Sequence, residues 1–142
     1  GSGEVYNNTF YGNSAPTAGS AINNYSGEIS NCIFWNNTSA PDLTIIANPT
    51  YCCVEGGHSG TGNIDRNPRL ADPEKGDFHL LVSSPCIDAG KEQPDISQDY
   101  EGTTRPQENV TWTTRGDGSH YDMGAFEFVG NVPLQQSGWL MN

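Results

Sequence analysis

The sequence predicts an all-β fold, a short solenoid of stacked coils closed by a non-repeating, turn-rich C-terminal cap. Three observations lead there. Seventeen Gly, nine Pro and fourteen Asn dominate a 142-residue chain that is only 34% hydrophobic and 16% charged. These residues favour turns and penalise helix interiors. VYNNTFYGNSA (5–15) and ISNCIFWNNTS (29–39) align without a gap at a spacing of 24. A single apolar strand core with Asn/Gly turns per unit of this length is the pattern of coils stacked one above the next. Beyond residue 58 that period stops and turn punctuation takes over.

Element by element, Val5 matches Ile29, Phe10 matches Phe34, Tyr11 matches Trp35 and Asn13 matches Asn37. AINN within residues 18–24 reads as a short β segment between the two units. A third, weaker unit lies at 50–57, TYCCVEGG, offset by 20 so that Cys52 falls on Cys32 and Val54 on Phe34. Matched residues on stacked strands lie about 4.8 Å apart, close enough for aromatic and Asn ladders. Ile29 and Phe34 differ in parity and cannot both point inward on one regular strand, so a bend is required between them. Tyr11 and Trp35 are surface aromatic candidates, suited to a glycan-contacting face or to packing under a loop. FHLLV (78–82) and AFEFV (125–129) read as strands in a capping region that covers the open end of the last coil. The predicted organisation is therefore 1–57 coils, 58–129 cap and 130–142 a tail, whose Val132, Leu134, Trp139, Leu140 and Met141 suit assembly with a neighbour.

The formal charge is −11 and the six Lys and Arg are dispersed. Nucleic acid is thus not an expected partner, because phosphate binding needs grouped cations. No run approaches the ~20 apolar residues of a membrane span. The opening residues GSGEVYNN do not read as a signal peptide, so secretion implies a removed leader or a longer parent. Residues 1–49 carry only Glu4, Glu28 and Asp42 as charged side chains, too few for a lyase or hydrolase site. No cofactor is required. Calcium is the one metal suggested, at Asn63, Asp65 and Asn67 of NIDRNP, although the Gly and bidentate Glu of an EF-hand are missing. Asp88 and Asp122, in turns next to Gly, and Arg105 read as cap-holding residues, with Arg105 paired to one of the two carboxylates. Sequons stand at Asn7, Asn24, Asn36, Asn37 and Asn109. Cys32, Cys52, Cys53 and Cys86 lack zinc-site spacing, and as disulfides they permit three connectivities.

Residues 51–90, ending in SPCIDAG, resemble the terminal segment of bacterial and archaeal surface proteins with right-handed parallel β-helix repeats, the choice-of-anchor Q domain. DYEGTTRP (99–106) and YDMGAFEF (121–128) resemble later segments of the same group, and NNTF and NCIF are similar to the repeats of polymorphic outer-membrane adhesins. About 120 of 142 residues are covered. The resemblance implies a right-handed parallel β-helix, a secreted or cell-surface location and pairing of Cys53 with Cys86, leaving Cys32 with Cys52. The expected function is a non-catalytic scaffold, adhesive or self-assembling into fibres by stacking on itself or on upstream coils, with glycans as further partners. The alternatives are the C-terminal part of a polysaccharide lyase or hydrolase whose active site lies upstream, and a calcium-dependent glycan-binding module.

Overall fold

The computed structural model describes residues 3–17, 20–38, 43–45, 48–108 and 115–130. All but Gly130 of the assembly segment expected at 130–142 lies outside them, as do the sequon at Asn109 and Asp42. Among the described residues the fold is all-β, with one 3-10 turn at Pro73–Lys75 and no α-helix. None of its elements is a helix long and apolar enough to cross a membrane.

Among the described residues nine short strands form four sheets. Strands β1 (Glu4–Tyr6) and β4 (Glu28–Ser30) pair in parallel, as do β3 (Ile22–Tyr25) and β6 (Leu43–Ile45). Strands β2 (Thr9–Tyr11), β5 (Ile33–Trp35) and β7 (Cys53–Val54) make a three-stranded parallel sheet, and β8 (Leu70–Asp72) with β9 (Asp77–Leu80) an antiparallel hairpin. The register places Val5 on Ile29, Phe10 on Phe34, Tyr11 on Trp35 and Phe34 on Val54. The expected continuous solenoid is corrected at this level: the strands form small separate sheets of two or three. The reason is local, since each strand runs only two to four residues before a corner.

Those corners sit at left-handed residues. Asn7, Asn31 and Tyr51 have φ of 53°, 54° and 52°, and Gly12, Asn36 and Gly56 follow at 69°, 55° and 85°. Asn and Gly tolerate this region, whereas other side chains crowd the backbone there. Asn31 supplies the bend that the parity of Ile29 and Phe34 demands, and both side chains are fully buried.

Alternation along β5 and β7 then divides the interior. Cys32, Phe34, Cys52 and Val54 join Ile29 in one core, while Ile33 and Cys53 face a second with Leu70, Leu80, Cys86, Ile87 and Met123. The three-stranded sheet is therefore a wall with apolar packing on both sides. Phe10 and Phe34 stack with centroids 4.8 Å apart and planes 3° from parallel. Asn31 Nδ2 donates to Asn7 Oδ1, and the Asn13 backbone N–H and Nδ2 both donate to Asn37 Oδ1.

The C-terminal half departs from a simple end cap. Parallel pairing passes the expected boundary at 57, because Ile64 bridges Cys53 and exchanges backbone bonds with Cys52 and Val54. Residues 88–108 and 115–128 then run back along the corners of the first two units. Asn7 Nδ2 donates to the Asp122 carbonyl, Gly124 N–H to the Asn31 carbonyl and Gln93 Nε2 to Ser30 Oγ at 2.6 Å. The FHLLV strand is present as β9, although Leu81 and Val82 fall outside it and are exposed. AFEFV is not a strand. Its amides are taken by side chains instead: Ala125 by Thr9 Oγ1, Glu127 by Asp99 Oδ2 and Phe128 by Asp122 Oδ2.

Candidate functional site

Four groups of side chains carry the chemistry of the described residues. The first is a cleft of about 320 Å³ between the three-stranded sheet and the β8–β9 hairpin, with Tyr11, Trp35, Asn67, Arg69 and Leu81 in its lining. Tyr11 and Trp35 are neighbours in the β2–β5 register and both are half-buried, so the two surface aromatic candidates meet in one wall. The Tyr11 hydroxyl donates to Glu74 Oε1 at 3.0 Å and accepts from Asn36 Nδ2 at 3.1 Å. Burial, then the bond to Glu74, raises its pKa.

The second group is a buried polar knot. Arg105 is 4% exposed and Glu127 3%, and their Nη1 and Oε2 lie 2.7 Å apart. Arg105 also donates to the carbonyls of Asp122 and Gly124. The expected pairing of Arg105 with Asp88 or Asp122 is thus corrected: its carboxylate partner is Glu127, which sat unnoticed in a string that reads as a strand. The Asp122 carboxylate accepts the backbone N–H of Asp88 at 2.7 Å and of Phe128 at 2.6 Å. Asp88 lies 3.6 Å from His120 Nδ1. Three buried carboxylates around one guanidinium leave negative charge in excess, and burial followed by the Glu127 charge pushes Asp122 well above the usual carboxylate range.

The third group is His79, stacked on Phe126 at 4.1 Å and held between Asp77 Oδ1 at 2.6 Å and Glu101 Oε1 at 2.7 Å. It ties the β8–β9 hairpin to the 99–104 turn. Hydrogen bonds to Asp77 and then Glu101 raise its pKa above 6.5. A raised imidazole pKa means that the folded state binds the proton more tightly, so this tie contributes fully below pH 6.5 and is lost as pH rises through the folded value. The His79 ring proton followed by NMR is expected to titrate above 6.5, and Glu101→Gln to move the midpoint back down. A wild-type midpoint at or below 6.5 would refute the tie.

The fourth group is the cysteines, which are buried free thiols. Residues 52 and 53 point to opposite cores, so Cys52 meets Cys32, whose backbone N–H donates to Cys52 Sγ at 3.4 Å, and Cys53 shares the other core with Cys86. Burial first, then the neighbouring sulfur, pushes the Cys52 and Cys86 thiols well up.

The remaining candidates occupy structural positions. Asn63 Oδ1 accepts from Cys52 N–H, Asp65 Oδ1 from Gly56 N–H and Asn67 Oδ1 from Arg69 N–H, so the three oxygens suggested for calcium each hold a different turn amide. Among the described residues no three His, Cys, Asp or Glu side chains gather as a metal group. Asn7 and Asn37 are buried ladder members, with Asn37 Nδ2 also donating to the Phe10 carbonyl, while Asn36 is exposed. Asn24 lies in β3.

Compared with known proteins, the chain matches no family model, no curated protein and no solved structure. The resemblance to choice-of-anchor Q and polymorphic outer-membrane β-helix proteins is therefore corrected. Neither the comparisons nor the small separate sheets support it. Its most specific strings have local packing reasons. In SPCIDAG, Cys86 and Ile87 are core residues, and a Cβ on Gly90 would lie 2.9 Å from both Asn31 Oδ1 and the Tyr121 carbonyl. In DMGAFEF, Met123 is fully buried and Gly124 stands at φ 92°.

Proposed function

We propose that the protein is a non-catalytic extracellular scaffold that associates through the open edges of its first strands. Another copy adds strands to these edges, parallel to the pairs already formed. The observation that carries this reading is the contrast between equivalent residues. Phe34 and Ile29 are fully buried beneath partners, whereas Phe10 and Val5, one strand further out, are half-exposed. Strands β1, β2 and β3 each pair on one side only among the described residues. Unpaired strand edges beside exposed apolar side chains template further pairing. The acidic surface and the dispersed cations suit solubility outside the cell and disfavour nucleic acid.

The test is sedimentation over a wide concentration range. Mass is expected to grow with concentration, and Phe10→Asp to hold the chain as a monomer while its circular dichroism stays native. A wild-type chain that stays monomeric at every concentration overturns the reading.

A further inference from the structure

The cleft between the three-stranded sheet and the β8–β9 hairpin holds polar groups that nothing in the fold uses. The Arg69 guanidinium, the Trp35 indole N–H and the Asn67 Nδ2 have no hydrogen-bond partner among the described residues. All three are donors. The acceptors nearby are spent: Asn67 Oδ1 holds the Arg69 N–H, and Glu74 holds the Tyr11 hydroxyl. Arg69 itself stands at φ 52°, a conformation unusual for an arginine. It is fixed there by that Asn67 bond and by the Leu81 N–H donating to its carbonyl. In a chain of net charge −11 this corner thus presents a cation that no carboxylate of the described residues pairs.

The missing ligand is defined by what the cleft lacks. It brings acceptors and one negative charge for Arg69, whose planar fork matches a carboxylate. It brings an apolar or C–H-lined face for Tyr11, Trp35 and the 45% exposed Leu81. The volume of about 320 Å³ is at the small end for ligand pockets and suits one sugar ring. An extended polyanion is disfavoured by the surrounding negative charge. We infer that this cleft binds a single carboxylated pyranose, a uronate, with the ring against Tyr11 and Trp35 and the carboxylate on Arg69. The cleft shares Tyr11 with the β2 edge, but Arg69 and Trp35 lie off that edge, so ligand binding read at these two fails or succeeds independently of self-association.

Saturation-transfer NMR and calorimetry on the whole chain with D-glucuronate test this, with D-glucose as the ring without the charge and acetate as the charge without the ring. Glucuronate is expected to bind with a Kd of about 1 mM, and each control about tenfold more weakly. Arg69→Gln, at an exposed side chain that the fold does not use, is expected to reduce glucuronate to the level of glucose. Trp35→Leu is expected to remove binding of both sugars, with circular dichroism checking its fold. Acetate binding as tightly as glucuronate reduces the cleft to an anion site and overturns the proposal. Glucose binding as tightly overturns the role of Arg69, and no saturation transfer to glucuronate overturns the whole.

Discussion

Arg105→Ala is expected to cost about 3–5 kcal/mol, most or all of the stability of a domain this size. The guanidinium neutralises Glu127 and caps the carbonyls of Asp122 and Gly124 where solvent has no access. Without it Glu127 keeps only the N–H bonds from Gln107 and Asp122 to offset a buried charge. Replacing both ends by apolar residues does not restore stability, because two carbonyls and two amides lose their partners. Arg105→Lys is expected to fall between, since an ammonium cannot fork across three acceptors. Urea unfolding followed by tryptophan fluorescence measures all three variants. A loss below about 1 kcal/mol for Arg105→Ala would show the knot to be dispensable.

The same knot fixes a pH trend. Asp122 is pushed up in the folded state, so the folded chain retains a proton that the unfolded chain releases above about pH 4. The folded state then binds more protons, and stability falls as pH rises from that range through the folded pKa. Arg105 is the charge that draws Glu127 downward against its burial, so its loss is expected to steepen the decline.

Oxidative refolding is expected to give two disulfides, Cys32 with Cys52 and Cys53 with Cys86, and to raise stability by about 3–4 kcal/mol for each. The register that sets Ile33 beside Cys53 also sets Cys32 beside Cys52. Neighbouring strands are about 4.8 Å apart, inside the range a disulfide spans. Alternation sends Cys53 to the other side of the wall, where Cys86 waits. Melting is expected to rise by roughly 20 °C over the reduced chain. Because burial raises the Cys52 and Cys86 thiols, the folded reduced protein is expected to resist alkylation, and the bonds to form only while the chain is still open. Non-reducing peptide mapping decides the connectivity. A Cys52–Cys86 or Cys32–Cys53 bridge would contradict the two-sided wall.

What the sequence makes legible is whatever recurs at a fixed offset. The match of Phe10 to Phe34 and of Val5 to Ile29 predicts the strand register, and the clash of parity between Ile29 and Phe34 predicts a corner whose residue is Asn31. The shorter third unit is readable too, through Cys52 and Val54. Contacts between unlike segments leave no such trace. Glu127 pairs with Arg105 across 22 residues, inside an alternating string that mimics a strand, and nothing in that string shows that Asp99, Asp122 and Thr9 have claimed its amides. His79 likewise gains its role only when the 99–104 turn folds over it. Three cysteine connectivities become one pattern of contacts only once the wall has two faces.

The return of residues 115–128 along the first corners also governs the order of folding. Asn7 is secured by Asp122 and Thr9 by Ala125, contacts that close 115 and 116 residues of chain. Closing such loops is slow, and non-local contacts set the pace of folding. During synthesis the corners of the opening strands therefore stay unfastened until nearly the whole sequence has emerged. For that interval the residues made first rest on strand pairing alone, and a chain halted before residue 122 lacks the contacts that clamp Asn7 and Thr9.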